Sequence, residues 1–408
     1  MAKTILFVGA GRHQRRAIIQ ARELGLRVAA VDRNPDAPGL KEADIAKVVD
    51  FADAEAVLKA TARLHIDGVL TVSADRAVPV VAAIAEARGL PGIGVETAHL
   101  LTHKVAMRRR LADAGVPQPR FAAIRSLSER RRAADEVGFP AVLKPADSGG
   151  QRGLFRVESV DDIDTHLHEA LAASPTGEAI LEQYIEGIEM NGIVIARKND
   201  AIPLTLSDRL RPPGVGFGVG WIHVYPATTF GAQLEESERV AVHTVHALGL
   251  KNAIAFPQLI ASPDGSVQVV ECAARIPGGQ MADLVRFAVG VDLVDVQIRM
   301  ALGEELPDEL VHAQFKQPLA IRFFTAEPGP LPTGRVKWIG PLDKVLAFPG
   351  VVQADVYLQV GETIRPVRLD GDRRGYVIAT APTNLEALER AEAAARLLDV
   401  EVERTVVA

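Results

Sequence analysis

The first hundred residues alternate between short apolar runs and patterns typical of amphipathic helices. Apolar runs at 5–8, 27–31 and 68–72 predict buried strands, and we expect a further short strand at 92–94. Helices are predicted between these runs, at 14–24, 54–64 and 77–87. Short buried strands separated by helices predict a parallel, doubly wound sheet. Such sheets form a ligand crevice at the carboxyl ends of their strands.

After residue 98 the pattern changes. A helix over 98–115, with Thr102 as its cap and Lys104 early in it, should end at Gly115-Val116-Pro117, because proline lacks an amide donor. A small αβ unit follows, and we interpret it as a mobile lid. Its predicted elements are a helix at 128–137, a strand at 140–145, a glycine-rich loop at 148–153, a strand at 154–157, a helix at 160–172 and a strand at 179–184.

The rest of the chain mixes strands and helices, with a second glycine-rich loop at 212–220 and a final helix near 384–398. We therefore predict an α/β protein of four parts. They are an N-terminal parallel-sheet domain at 1–115, a lid subdomain at 116–188, a large subdomain at 189–312 and a C-terminal α+β subdomain at 313–408.

Composition excludes several classes of protein. The chain has 408 residues, 48% of them hydrophobic and 24% charged, which is typical of globular domains. Its net charge of −6 offers no broad basic surface for nucleic acid. The apolar runs are too short for a membrane-spanning helix or a signal peptide. The single cysteine, Cys272, fits a reducing cytoplasm and is expected to be a buried filler. The arginine runs at 108–110 and 130–132 are expected to be solvated helix faces.

The first glycine motif is Gly9-Ala10-Gly11, between a strand and a helix as in a dinucleotide-binding turn. Gln14 stands where that motif needs a third glycine, although Asp32 could bind a ribose. We prefer a tight turn that faces the crevice, with an NAD-dependent oxidoreductase as the alternative.

The second glycine motif carries more information. Lys144 ends an apolar strand, and the loop 148–153 follows shortly after it. Glycines let backbone amides approach phosphate oxygens, and a lysine supplies a positive charge beside them. A glycine-rich hairpin next to a surface lysine is the alternative.

Acidic residues complete the pattern. Glu182 and Glu189 lie seven residues apart near a strand end, and Glu271 is followed by Arg275 on one segment. A carboxylate at a strand end can hold Mg²⁺, which requires oxygen ligands. An arginine can bind a carboxylate or phosphoryl group through two parallel hydrogen bonds. Ordinary surface ion pairs are the alternative for each segment alone.

The order of these motifs resembles the ATP-grasp superfamily. Lys104 precedes a Gly-Val-Pro segment, and Lys144 is followed by its glycine loop. The two acidic segments come next along the chain. The chain looks most like the carboxylate–amine ligases of the L-amino-acid ligase type, and more distantly like biotin carboxylase. The resemblance implies an N-terminal parallel sheet, a small lid and a C-terminal body. It also implies that ATP activates a carboxylate, of an amino acid in our prediction, as an acyl phosphate for attack by an amine. We expect small-molecule substrates, a homodimer, and no nucleic-acid or membrane partner.

The same resemblance assigns roles to individual residues. Glu182, with the backbone of Gln183 and Ile185, would receive the adenine, and Glu189 the ribose. Arg275 and Lys144 are the expected catalytic residues. The residues expected at ATP are Lys104, Lys144, Ser148, Gly149, Gly150, Gln151, Gly153, Glu182, Gln183, Tyr184, Ile185 and Glu189. The residues expected at the substrate are Arg275, Gly278, Gly279, Arg322, His223 and Asp208.

The metal site departs from the family pattern. Glu271 and Gln258 are the expected Mg²⁺ ligands, but Gln258 stands where the family has a second acid, and Ala273 where it has an asparagine. Amide oxygens are weaker ligands than carboxylates, and alanine is no ligand. A nucleotide-binding protein with weak or no ligase turnover is therefore the alternative function.

We expect Lys144→Ala to abolish thermal stabilisation by nucleotide, because the phosphates would lose a cation. ATP at a hundred times its Kd should stabilise the native protein by about 2.7 kcal/mol. A thermal shift measurement with and without ATP tests this. A variant with unchanged nucleotide affinity would remove Lys144 from the phosphate site.

Overall fold

The N-terminal sheet is parallel, in the strand order β3-β2-β1-β4. The structure is a computed structural model that describes residues 2–149, 152–198, 200–215 and 218–403. The strands of this sheet are β1 (Thr4–Val8), β2 (Arg27–Asp32), β3 (Ile45–Val48) and β4 (Gly68–Leu70). The helices beside it are α1 (Arg12–Glu23), α2 (Pro38–Glu42), α3 (Ala54–Ala60) and α4 (Val78–Arg88). Strand β1 is buried along its whole length, as expected for a sheet covered on both faces. The predicted parallel sheet is confirmed.

Three local predictions in this region were wrong. Residues 92–94 form no strand, and β3 was missed because three of its four residues are exposed and give no apolar run. The single helix over 98–115 is instead α5 (Val95–Thr102) followed by α6 (Lys104–Asp113). His103 caps α6 by accepting a hydrogen bond from the Ala106 amide at 3.3 Å, whereas Thr102 donates back to Ala98.

The lid is an antiparallel sheet in the order β5-β8-β6-β7. Its elements are β5 (Phe121–Ile124), α7 (Arg130–Val137), β6 (Ala141–Pro145), β7 (Phe155–Val157), α8 (Val160–Ala172) and β8 (Ala179–Gln183). Leu143 and Leu181 belong to a core shared with α7 and α8. Neighbouring strand residues point to opposite faces, so Lys144 and Glu182 emerge on the other side, in the cleft.

The body is built on an antiparallel sheet in the order β13-β12-β9-β10-β11-β14-β18-β16, beside a small sheet β17-β15-β19. Its first elements are β9 (Ile188–Arg197), β10 (Asp200–Leu210), β11 (Ile222–Tyr225), α9 (Ala232–Ala247), β12 (Asn252–Ala261), β13 (Val267–Ala274), α10 (Met281–Val289), α11 (Leu293–Ala301) and α12 (Asp308–Val311). The remaining elements are β14 (Leu319–Phe323), β15 (Gly334–Ile339), α13 (Asp343–Leu346), β16 (Val351–Val356), β17 (Thr363–Ile364), β18 (Gly375–Thr380), α14 (Asn384–Ala395) and β19 (Val400–Glu403). The large sheet takes strands from both sides of residue 312. The four-part domain division stays a prediction.

The N-terminal domain joins the body through backbone contacts at the end of its sheet. Val72 forms a parallel bridge with Ile276, and the Ser73 amide donates to the Ile276 carbonyl at 2.9 Å. This contact brings the loops after β4 and β13 together. In the described part of the chain, no helix combines the length and the apolar character needed to cross a membrane.

Candidate active site

A cleft of about 540 Å³ lies between the lid, the body sheet and the N-terminal loops. Most of the predicted site residues line it: Lys104, Lys144, Ser148, Gly149, Glu182, Gln183, Tyr184, Ile185, Glu189, His223, Gln258, Glu271, Arg275, Gly278 and Gly279. Gly150 and Gln151 lie outside the described residues. Gly153 instead packs against α8, so closely that a Cβ atom added to this glycine would lie 3.2 Å from the Ala170 Cα.

Two lysines meet at the lid side of this cleft. Lys144 Nζ lies 2.7 Å from Glu182 Oε2. Lys104 Nζ donates to the Ser148 carbonyl at 2.9 Å and lies 3.9 Å from Glu271 Oε1. Burial lowers the pKa of Lys144, and the Glu182 charge opposes that shift. The structure thus brings both predicted phosphate lysines to the start of the glycine loop.

Glu182 is buried and paired on both oxygens. Arg108 Nε lies 2.8 Å from its Oε1, opposite the contact from Lys144. Burial raises the pKa of Glu182, but the Arg108 and Lys144 charges outweigh that effect and lower it to about 2. The expectation that Arg108 is solvated was wrong, because its side chain is 0% exposed. Its spacing from Val105 and Leu111, which form the buried face of α6, is the signal that identifies it.

An apolar slot lies beside the end of β8. Its walls are Pro119, Val142, Leu259, Ile260 and Val270. The Gln183 amide donates to Arg120 and the Tyr184 amide to Pro140, at 2.9 and 3.0 Å. No described residue accepts a hydrogen bond from the Ile185 amide. Apolar walls with a few polar edge groups suit a flat heteroaromatic ring.

Glu189 lies at the edge of this slot and is held by two arginines. Arg209 Nη1 and Arg211 Nε lie 2.7 and 3.2 Å from its two oxygens. These ion pairs fix the carboxylate at the wall of the cleft.

A row of polar side chains crosses the floor of the cleft. Glu271 on β13 pairs in register with Gln258 on β12, which pairs with Asn191 on β9. Gln258 Nε2 donates to Asn191 Oδ1 at 3.3 Å, and Asn191 Nδ2 lies 3.3 Å from His223 Nδ1. Asn191 was missed, although its spacing of two from Glu189 on one strand places both on the same face. The described residues contain no group of three or more His, Cys, Asp or Glu side chains placed to hold a metal.

The N-terminal domain contributes an acid, Asp75, to the cleft, close to Gly149 at the start of the glycine loop. Asp75 Oδ1 accepts from Arg275 Nε and lies 2.6 Å from Arg275 Nη2. Burial raises the pKa of Asp75, but the charge and hydrogen bond of Arg275 together with the charge of Lys104 outweigh burial, so the net pKa is lowered. Arg275 Nη1 is buried and has no hydrogen-bond partner among the described residues. Asp75 was missed because its loop lies two hundred residues from Arg275 in the chain.

Gly279 allows two basic side chains to approach the backbone. Its φ is +69°, and a Cβ there would lie 3.1 Å from His223 Nε2 and 3.3 Å from Arg373 Nη1. Burial first, and then the charges of Arg373 and Arg209, lower the pKa of His223 well below its usual value. The His223 imidazole is therefore neutral.

Two further arginines lie over aromatic rings in this part of the cleft. Arg373 lies 4.3 Å above Phe323, and Arg12 lies 3.8 Å above Tyr357. Neither arginine was predicted from the sequence: Arg373 lies in no recognisable motif, and Arg12 directly follows Gly11 of the first glycine turn.

Family models match two long segments of the chain. Residues 103–309 match the carbamoyl-phosphate synthase L chain ATP-binding domain, and residues 322–403 match the L-amino acid ligase C-terminal domain 2. The first match spans half of the chain. The chain belongs to the carbamoyl-phosphate synthase ATP-binding-domain family, within the ATP-grasp superfamily.

Individual relatives extend the ATP-grasp match to nearly the whole chain. The uncharacterized protein y4rH of Sinorhizobium fredii is 27% identical over 95% of this chain and 80% of its own. A formate-dependent phosphoribosylglycinamide formyltransferase of Ignicoccus hospitalis is 25% identical over 97% of this chain and 95% of its own. The solved L-amino acid ligase of Bacillus licheniformis shares the fold, with a TM-score of 0.84, 20% identity and coverage of 98% and 99%. The predicted ATP-grasp fold and the predicted enzyme class, a ligase forming carbon–nitrogen bonds, are confirmed.

Two predicted substrate residues do not reach the ATP-grasp cleft. Arg322 lies 4.0 Å over Trp221 on the other face of β14, where burial lowers its pKa to about 10. Asp208 accepts from the amide and hydroxyl of Thr228 and borders a smaller cavity of about 260 Å³ against α14. Strand neighbours point to opposite faces, so Phe323 lines the cleft and Arg322 does not.

The first glycine turn is filled by protein groups. Gln14 is buried and donates to the Val72 carbonyl. Asp32 accepts from the Ala10 and Asn34 amides at 2.8 and 2.9 Å, one on each oxygen. This arrangement favours the tight turn over a dinucleotide site. Cys272 is also buried, which raises its pKa to about 12, as expected for a filler residue.

Arg373 and Arg322 form a matched pair for testing which face of the sheet binds substrate. We expect Arg373→Gln to lower kcat/KM at least about tenfold, equivalent to 1.4 kcal/mol. Arg322→Gln should lower the melting temperature but leave kcat/KM within about twofold, since losses outside the cleft affect stability. The measurement is substrate-stimulated ADP release with the best substrates of the wild-type protein. An equal loss of kcat/KM in both variants would contradict this assignment.

Proposed function

We propose that this ATP-grasp enzyme uses ATP to activate the carboxylate of an amino acid and joins it to an amine, releasing ADP and phosphate. The observation that carries the proposal is the content of one cleft. Lys104 and Lys144 stand at its lid side, and the Arg275–Asp75 pair lines the same cleft. A triphosphate and a small zwitterion therefore have complementary charges within one cavity.

The amino-acid substrate class is inferred from the Arg275–Asp75 pair. Arg275 Nη1 is a buried donor without a partner, which is costly unless an acceptor arrives. A substrate carboxylate would supply that acceptor. Asp75 remains ionised and can accept hydrogen bonds from an ammonium group. A guanidinium beside a carboxylate thus matches the two charged groups of an α-amino acid.

The ATP site follows the predicted residue roles. Lys104 and Lys144 would contact the phosphates, with Ser148 and Gly149 at the start of the covering loop. The slot at Gln183–Ile185 would receive the adenine, because the Ile185 amide can donate to a ring nitrogen. Glu189 would accept from the ribose hydroxyls.

Mg²⁺ fits the oxygen-rich floor of the cleft. Glu271 would hold it with the amide oxygens of Gln258 and Asn191, and hard oxygen donors are what this ion prefers. One carboxylate leaves coordination positions for water and ATP oxygens. When bound, the ion would offset phosphate charge.

The reaction needs two displacements. The substrate carboxylate oxygen bonds to the γ-phosphorus while the bond from that phosphorus to the β-γ bridging oxygen breaks, releasing ADP. The amine nitrogen then bonds to the acyl carbon, phosphate leaves, and the amine loses a proton. Lys144 and Arg275 offset the repulsion between the anions in the first step. The lid excludes water that would hydrolyse the acyl phosphate.

Two other functions have specific support. The Ignicoccus relative aligns along nearly its whole length and is named as formate-dependent, so formate is the second candidate carboxylate. The thin metal site at Gln258 and Ala273 favours a nucleotide-binding protein with weak turnover. A cytoplasmic homodimer remains a prediction in each case.

ADP release across a panel of carboxylates and amines tests the proposal. The panel contains the common amino acids, formate and their pairwise mixtures, each with ATP and Mg²⁺. We expect at least one amino-acid pair to stimulate ADP release, with a dipeptide or amide product detected by mass spectrometry. We also expect Arg275→Met to lower kcat/KM about 100-fold, the range reported for loss of one electrostatic donor.

Arg299→Met is the control, because Arg299 pairs with Asp295 outside the cleft. Arg299→Met should retain wild-type kcat/KM, and Arg275→Met should retain ADP affinity. Stimulation by formate alone would favour the formate-dependent function. Tight ATP binding without stimulation by any carboxylate would favour the binding protein.

A further inference from the structure

Arg108 joins three parts of the molecule in the interior. It lies on α6 and is 0% exposed. Its Nε donates to Glu182 on the lid strand β8 at 2.8 Å. Its Nη1 and Nη2 donate to the carbonyls of Val269 and Val270 on β13, at 2.9 and 2.6 Å. Arg108 therefore holds the lid strand against the strand that carries Glu271.

Glu182 is shared between Arg108 and Lys144. A buried carboxylate without a cationic partner is strongly destabilising. If Lys144 moves its ammonium group to a phosphate, Glu182 loses one of its two partners. Arg108 cannot follow, because it is enclosed and held by two backbone carbonyls. Glu182 thus keeps one cation whichever way Lys144 points.

We infer that Arg108 is a positioning residue that keeps Glu182 paired, so that Lys144 is free to move from that carboxylate to the phosphates of the nucleotide. The inference rests on the proposed function, since it takes Lys144 to be a phosphate ligand. It gives Glu182 a role separate from adenine binding: its side chain holds Lys144 in the absence of nucleotide.

Removal of Arg108 has a consequence that a purely structural role would not have. In Arg108→Met, Lys144 would be the one remaining cation bonded to Glu182. Lys144 could then leave only if Glu182 took up a proton. The other charged groups near this pair are Lys104 on α6 and Glu271 on β13, which both act on Lys144. Because these two groups have opposite charges, their effects on Lys144 oppose each other. Glu182 is therefore the group that must change its protonation state.

Calorimetric ADP titrations at pH 6 and pH 8, in buffers of different ionisation heat, test this inference. Wild-type protein gives the reference affinity and proton count, which include the ionisation of ADP itself. Relative to wild type, Arg108→Met should bind ADP at least about tenfold more weakly at pH 8. It should recover part of that affinity at pH 6 and take up close to one additional proton per ADP.

Two further variants separate positioning from stability. Leu111→Ala removes a fully buried side chain from the same helix outside the charged network, so it should lower stability and retain wild-type ADP affinity and proton count. Adding Glu182→Gln to Arg108→Met removes the group that must take up the proton. The double variant should therefore lose the additional proton uptake and the difference in affinity between pH 6 and pH 8.

The outcomes are distinct. If Arg108→Met matches Leu111→Ala in affinity and proton count, or if the double variant keeps the additional proton, the inference is overturned while nucleotide binding stands. If wild-type protein binds no ADP, the proposed function fails first. Should Arg108→Met be insoluble, Arg108→Lys serves with the same readout. Lysine keeps the charge but cannot reach both carbonyls and Glu182, so we expect smaller changes in ADP affinity and proton uptake, in the same direction. If Arg108→Lys matches wild-type protein in both quantities, the inference is overturned.

Discussion

The cleft depends on the contact between the carboxyl edge of the parallel sheet and the end of β13. The bridge from Val72 to Ile276 fixes the backbones, and the ion pair of Asp75 with Arg275 fixes the side chains beside it. Asp75 and Arg275 come from distant parts of the chain, and only this contact makes them neighbours. Without it, the lid and the body would still carry lysines and acids, but Asp75 would not reach the cavity beside Arg275.

Charge in the interior is balanced locally along this cleft. Glu182 has Arg108 and Lys144, Glu189 has Arg209 and Arg211, and Asp75 has Arg275. Pairing lets many ionised groups lie in a poorly solvated space without large energetic cost. It also means that an anionic ligand meets several cations that already have an acid, among them Lys144, Arg209 and Arg275. Binding must therefore exchange partners, and the exchange is cheapest where a carboxylate has a second cation.

The sequence was sufficient for the parallel sheet, the lid and most cleft residues, because these depend on local periodicity and on motif order. Gln258 and Glu271, thirteen positions apart, do pair across neighbouring strands. The errors arose where tertiary contacts decide. Arg108 looked like part of a solvated basic run, although helix spacing places it with Val105. Asp75 and Arg373 enter the cleft only through domain packing, which no local pattern encodes. Arg322 has the right chemistry for the cleft, but it points to the opposite face of its strand.

The buried thiol of Cys272 makes the protein convenient for direct observation of the lid. It is the only cysteine in the chain, and both enclosure and its high pKa keep it from forming a reactive thiolate. The folded enzyme is thus silent towards thiol-reactive dyes. One cysteine introduced on the outer surface of α8 and another on the body would carry a fluorophore pair without background labelling. Lid closure over nucleotide could then be followed as a change in energy transfer, on the natural chain otherwise unaltered.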